Sequence, residues 1–193
     1  VPSVEDEDVL ANLLFADGAA ATIVCGDQFK QEKKLPILHI DDIGSAYIPG
    51  TMGLMTWNVS SNAFRMYLSK HIVDASGSSI EPVAKSFLKC DPEEIDLWAI
   101  HPGGVRIVDA VQESLSLSDV AVRDSLNVLY QYGNMSSPTI LFILNEMLLK
   151  IRDESSGISR KIFTCAFGPG LNIEMLKLSS TLPEVTSIYC KCI

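Results

Sequence analysis

The chain has 193 residues, 47% of them hydrophobic and 20% charged, with a formal net charge of −9. That length makes one domain or a large piece of a bigger protein, and the apolar share is enough to fill a core, which excludes general disorder. The acidic balance excludes non-specific nucleic-acid binding, which needs a basic face, although a few local cations still suffice for a polyanionic ligand.

Residues 1–12 are acidic and predict irregular chain; Glu5-Asp6-Glu7-Asp8 stands where a signal peptide would be basic, and Val1 in place of Met predicts a trimmed or incomplete polypeptide. Ala16-Asp17-Gly18 predicts a turn, and Ala19 to Val24 a buried strand. Gln28 to Lys34 is the best linker candidate. Leu35 to Ile43 predicts a strand, Gly44 to Gly53 a loop, and Leu54 to Val59 a short strand. Ser61 to Lys89 predicts two helical stretches around Ser76-Gly77-Ser78-Ser79, with Phe64, Leu68 and Ile72 on one apolar face and Ile80, Ala84, Phe87 and Leu88 on the other.

Ile95 to Ile100 predicts a strand ending at His101, and Val105 to Leu115 a helix with Val105, Val108, Val111 and Leu115 inward. Ser118 caps a helix to about Tyr132, with Val122, Leu126 and Leu129 inward and Gly133 closing it. Ser136 or Ser137 caps the next helix, with Pro138 at its first position. That helix is apolar on almost all sides, which predicts burial in a large core. Its run Ile140-Leu141-Phe142-Ile143-Leu144 is too short to cross a bilayer, so no membrane partner is expected. Arg152 to Gly157 predicts a loop, and Ile162 to Phe167 and Leu171 to Leu178 two strands joined through Gly168-Pro169-Gly170. The alternation of strands and helices predicts an α/β fold.

Five cysteines form no regular framework. Cys25, Cys90 and Cys165 sit in or beside apolar runs and are expected as small core residues; Cys190-Lys191-Cys192 is one residue too tight for a Cys-x-x-Cys pair. A reducing, cytoplasmic setting is expected. No metal-ligand spacing and no phosphate-cradling glycine loop occurs.

Two short motifs carry the chemistry. His101-Pro102-Gly103-Gly104 follows a buried strand, and Gly133-Asn134-Met135-Ser136-Ser137 precedes a buried helix. A histidine at the carboxyl end of an α/β strand occupies the usual place for ligand chemistry, and the helix N-terminus after it disfavours the imidazolium. A neutral imidazole donates one hydrogen bond to a developing oxyanion. A carboxamide offers two donors and never titrates, so it polarises a carbonyl without exchanging protons. Taken singly, such a histidine is more often a satisfied strand-end residue, and such an asparagine a turn residue.

In order, His-Pro-Gly-Gly, Gly-Asn-Met-Ser-Ser and Phe167-Gly168-Pro169-Gly170 resemble the C-terminal half of a type III polyketide synthase, the chalcone synthase-like family. Leu14-Phe15-Ala16-Asp17-Gly18 and Leu171-Asn172-Ile173-Glu174 extend the resemblance over nearly the whole chain; Met55-Thr56-Trp57 with Phe64 to Ser69 looks like the bacterial branch. The resemblance implies a thiolase-like layered fold, αβαβα in the full enzyme and here mainly its C-terminal half. Residues 1–34 would be the tail of the N-terminal half plus linker, and 35–193 the C-terminal domain. It implies an acyltransferase that condenses an acyl-CoA starter with malonyl-CoA by decarboxylative Claisen chemistry, using a Cys-His-Asn triad and no cofactor beyond its coenzyme A substrates.

On that resemblance His101 and Asn134 are the catalytic pair. Phe15 and Trp57 match gatekeeper positions, the second usually phenylalanine. Gly103, Gly104 and Arg106 lie near the coenzyme A entrance, and Phe167, Gly168, Pro169 and Gly170 shape the cavity wall. Arg106 taken alone is an ordinary surface arginine, and Gly168-Pro169-Gly170 an ordinary turn. None of the five cysteines matches the family nucleophile, so the chain is expected to be inactive alone and to pair with a missing N-terminal half or subunit. The whole enzyme would be a homodimer. Truncation on purpose, proteolysis and a split gene all fit the missing half. Two other functions fit less of the pattern: a ketoacyl synthase III-like enzyme using acyl carrier protein, and a non-catalytic partner subunit.

Overall fold

The computed structural model of the protein describes residues 13–26, 37–59, 61, 64–153 and 158–181. The acidic start, the expected linker and Cys190-Lys191-Cys192 lie outside the described residues. In chain order the elements are β1 (Ile37–Tyr47), β2 (Met55–Val59), β3 (Phe64–Leu68), α1 (Ile72–Leu88), β4 (Leu97–Ile100), α2 (Val105–Ser114), α3 (Asp119–Tyr132), α4 (Pro138–Asp153), β5 (Lys161–Gly168) and β6 (Asn172–Thr181).

Four strands form a mixed sheet in the order β1-β6-β5-β4, with β4 and β5 parallel and the other pairs antiparallel. Period-two alternation gives the sheet two apolar faces. Trp98, Ile100, Phe163, Cys165, Ile173 and Met175 meet α1 through Ile80, Ala84 and Leu88, and α2 through Val108, Val111 and Leu115. On the other face Ala99, Ile162 and Leu178 meet Ile143, Leu144, Met147 and Ile151 of α4 and Val128 of α3. Each large side chain buried this way contributes about 1.5–3 kcal/mol. Burial on both faces is why β4 reads Leu-Trp-Ala-Ile without polar alternation.

Several expectations are corrected. Ala19 to Val24 is an exposed irregular segment, not a buried strand: among the described residues nothing pairs with it, and Ile23 is 89% exposed. β1 runs on through Gly44 to Tyr47 where a loop was expected. Gly44 is tolerated inside the strand because the Phe87 ring lies over it, 2.5 Å from where a Cβ would stand. Ser61 to Lys89 is not two helices but strand β3 and one continuous helix. α1 runs through Ser76 to Ser79 and Pro82 because tertiary packing outweighs local propensity. Ser76 Oγ donates to the carbonyl of Ile72 at 2.8 Å, and Gly77 lets α1 close on Ala110 of α2.

Helix α2 turns Ile107 inward and leaves Val105 exposed. In α3 Val128 is fully buried, while Leu126 and Leu129 are half-buried. Helix α4 buries one face only; Phe142 is half-buried against Tyr132, their ring centroids 5.0 Å apart. Arg152 and Asp153 are its last residues rather than loop. Among the described residues no helix is long and apolar enough to cross a membrane. Cys165 is core, Cys90 half-buried, and Cys25 exposed rather than core.

Candidate functional site

Strand β4 delivers His101 to the sheet's edge. Its last residue, Ile100, donates its N–H to Ser125 Oγ of α3 at 3.0 Å, and His101 N–H donates to the Cys165 carbonyl at 2.8 Å. The peptide carrying the histidine is thereby held from both sides. The ring is largely buried, and that desolvation lowers its pKa from 6.5 to about 4. At pH 7 the imidazole is neutral. No hydrogen bond from another described residue reaches it.

Helix α3 delivers Asn134. Gly133 ends it at φ +73°, a left-handed value that favours glycine, and a Cβ there would stand 2.8 Å from Ala16 Cβ. The Asn134 side chain is buried. Its Nδ2 donates to the Gly103 carbonyl at 3.2 Å, and its Oδ1 accepts the Ser136 N–H at 2.8 Å. The amide is thus oriented by the histidine loop on one side and by its own turn on the other. The backbone carbonyl of Asn134 accepts the Ala16 N–H at 2.9 Å, which makes Phe15 and Asn134 an isolated parallel bridge. Met135 N–H donates to Thr139 Oγ1 at 2.9 Å, tying the motif to the first turn of α4.

These residues line one cavity of about 660 Å³. His101 and Asn134 share it with Phe15, Trp57, Gly103, Gly104, Arg106, Phe167, Gly168 and Pro169. Gly170 is not on its wall; it sits at φ +122° in the turn behind. That turn is fixed by Thr51, whose single hydroxyl proton is shared between the Ile48 and Gly170 carbonyls and whose Oγ1 accepts the Leu171 N–H at 2.6 Å. Arg106 and the exposed Lys70 bring two cations to a wall that is otherwise mostly apolar.

Reading the sequence missed Lys70, Thr51, Ser125, Met55 and Met66. Lys70 follows β3, where the residue pattern predicts helix and gives no sign of a cavity wall. A hydroxyl on the apolar face of α3, three residues from Val122, was the one available signal for Ser125. None of the described thiols lines the cavity. Burial pushes the Cys165 thiol up to about 12, which makes it unreactive. Among the described residues no group of three or more His, Cys, Asp or Glu could hold a metal ion.

A mixed sheet covered by helices, with a neutral imidazole and a buried carboxamide on one cavity, places the chain in the thiolase-like α/β class. Residues 41–182 match the chalcone and stilbene synthases, C-terminal domain, and the chain belongs to that family. Type III polyketide synthase A of Arabidopsis thaliana is 28% identical over 178 residues, which are 90% of this chain and 45% of that protein. The crystal structure of PKS-I from the brown alga Ectocarpus siliculosus superposes with a TM-score of 0.66 at 31% identity, over 73% of this chain and 39% of that one. A variant of CsyB gives a TM-score of 0.71 at 25% identity, over 82% and 44%. CsyB complexed with CoA-SH shares the fold, with a TM-score of 0.72 at 24% identity. The chain spans less than half the length of these relatives.

Proposed function

We propose that this chain supplies the His101–Asn134 half of a site that condenses an acyl-CoA starter with malonyl-CoA. The carrying observation is that a neutral imidazole and an oriented carboxamide line the same cavity. Family membership and a neighbour solved with coenzyme A support the reading. The nucleophile is a cysteine on polypeptide outside this chain. Its thiolate attacks the starter thioester and expels CoA as its thiolate, which takes a proton from solvent; His101 and Asn134 donate hydrogen bonds to the oxyanion. Malonyl-CoA then loses CO₂, and the same donors stabilise the enolate. The enolate carbon attacks the enzyme-bound acyl group and the cysteine leaves as thiolate. A neutral His101 keeps one ring N–H, so it donates one hydrogen bond in this role. Lys70 and Arg106 meet the coenzyme's phosphates or pantetheine arm, Phe15 and Trp57 control passage between entrance and cavity, and Phe167, Gly168 and Pro169 set its wall.

On this reading residues 1–34 belong with the absent N-terminal half and residues 35–193 form the C-terminal domain. The whole enzyme is a cytoplasmic homodimer. The test is an assay with radiolabelled malonyl-CoA. This chain alone is expected to release no polyketide; mixed with a polypeptide spanning the cysteine-bearing half it is expected to do so, and His101→Ala or Asn134→Ala to lower that rate on the order of 10²–10³-fold. Product from this chain alone would refute the two-part site.

A further inference from the structure

Resting on the reading of this cavity as an acyl-thioester site, we propose that its acyl group is a flexible aliphatic chain lying along the β2–β3 hairpin. The hairpin register sets Met55 opposite Leu68 and Trp57 opposite Met66, and all four line the cavity. Their neighbours Thr56, Asn58, Arg65 and Tyr67 do not. One pleated face, made of two cross-strand apolar pairs, is therefore turned to the site. Ile72 and Val73 from the start of α1 continue the same apolar surface.

On that face the Trp57 indole N–H is a donor only, so the four hairpin side chains offer no strong acceptor for a phenol proton. The polar side chains of the cavity come from the two motif loops, from Ser69, Lys70 and Arg106, and from Ser76, whose proton is committed to the Ile72 carbonyl at 2.8 Å. A phenol laid against the hairpin would leave its proton without a strong acceptor, a penalty of roughly tenfold in affinity. An alkyl chain has no such group. Two of the four hairpin residues are methionines, unbranched and adaptable, so the wall follows a chain that rotates about its own bonds. Each methylene laid on it should tighten binding about two- to fourfold until the wall is covered.

Calorimetric titration of the 193-residue chain with hexanoate, octanoate, decanoate and dodecanoate, below their micelle concentrations, tests this, with 4-hydroxycinnamate as the ring-bearing comparison. Affinity is expected to climb two- to fourfold per methylene and to exceed that for 4-hydroxycinnamate at least tenfold by decanoate. Trp57 gives an independent location, because it is half exposed in the cavity while Trp98 is buried in the core beside Phe163. Decanoate should shift tryptophan emission to the blue, and Trp57→Phe should abolish that shift. Met66→Gln, close in size but polar, should flatten the chain-length series. A flat series in the parent chain, a series untouched by Met66→Gln, an emission shift that survives Trp57→Phe, or tighter binding of 4-hydroxycinnamate each overturns the proposal. The two readings fail separately. If the complemented enzyme makes no product while the series holds, condensation is rejected and the groove stands. If product forms from ring-bearing starters only, the groove is rejected and condensation stands.

Discussion

At the scale of the residue, His101 couples the site to stability through pH. Its folded pKa of about 4 lies below the ordinary 6.5, and burial is the cause. Between those values the unfolded chain binds a proton that the folded chain refuses, so folding stability falls as pH drops through 6.5 and levels off below 4. The loss attributable to this ring is on the order of 3 kcal/mol. Urea unfolding at pH 7 and pH 4.5 should show a smaller difference for His101→Gln than for the parent chain; equal differences would clear His101 of the effect. Asn134→Ala leaves the Ser136 N–H and the Gly103 carbonyl without their partner beside the cavity, and should cost about 1–3 kcal/mol by the same measurement. Cys25 should be alkylated by iodoacetamide in the native protein while Cys165 is spared, as peptide mapping would show. His101 and Asn134 were legible in the sequence because each puts one polar group between a regular element and glycine. Ser125 and Thr51 were not, because their hydroxyls serve backbone groups 25 and 119 positions away, and no local pattern records such a partner.

At the scale of the element, β4, β5 and β6 were readable because both of their faces are buried and glycines punctuate them. What failed to read was whatever depends on a neighbour. Gly44 looked like loop until the Phe87 ring filled its place, and Ser76-Gly77-Ser78-Ser79 looked like a break until α2 closed on it. Both lead to tests. Gly44→Val should destabilise by about 1–3 kcal/mol, because the added methyl groups must displace that ring from a packed core. Ser125→Ala should cost a similar about 1–3 kcal/mol by stranding the Ile100 N–H in the core. Thermal unfolding checks both, and a neutral Ser125→Ala would mean that the strand end finds another acceptor. Thr51 shows how elements at the two ends of the described chain share a duty: its one hydroxyl holds the loop after β1 to the β5–β6 turn that forms part of the cavity wall.

At the scale of the whole molecule, the apolar surface is larger than the sheet and helices can cover. Leu13 is 81% and Val24 74% exposed, and Leu149 stands on the uncovered side of α4. Exposed apolar surface of that kind favours association. Sedimentation at rising protein concentration should show self-association, and the double change Ile23→Lys with Val24→Lys should reduce it; a parent chain that stays monomeric throughout would remove these residues as its cause. The segment that carries Leu13 and Val24 is also fastened to the turn after α3, since the Ala16 N–H donates to the backbone carbonyl of Asn134. Whatever takes hold of residues 16–26 therefore pulls on the peptide that carries Asn134, a residue of the cavity wall. A displacement of that strip is felt at the turn between α3 and α4, and through it at the cavity.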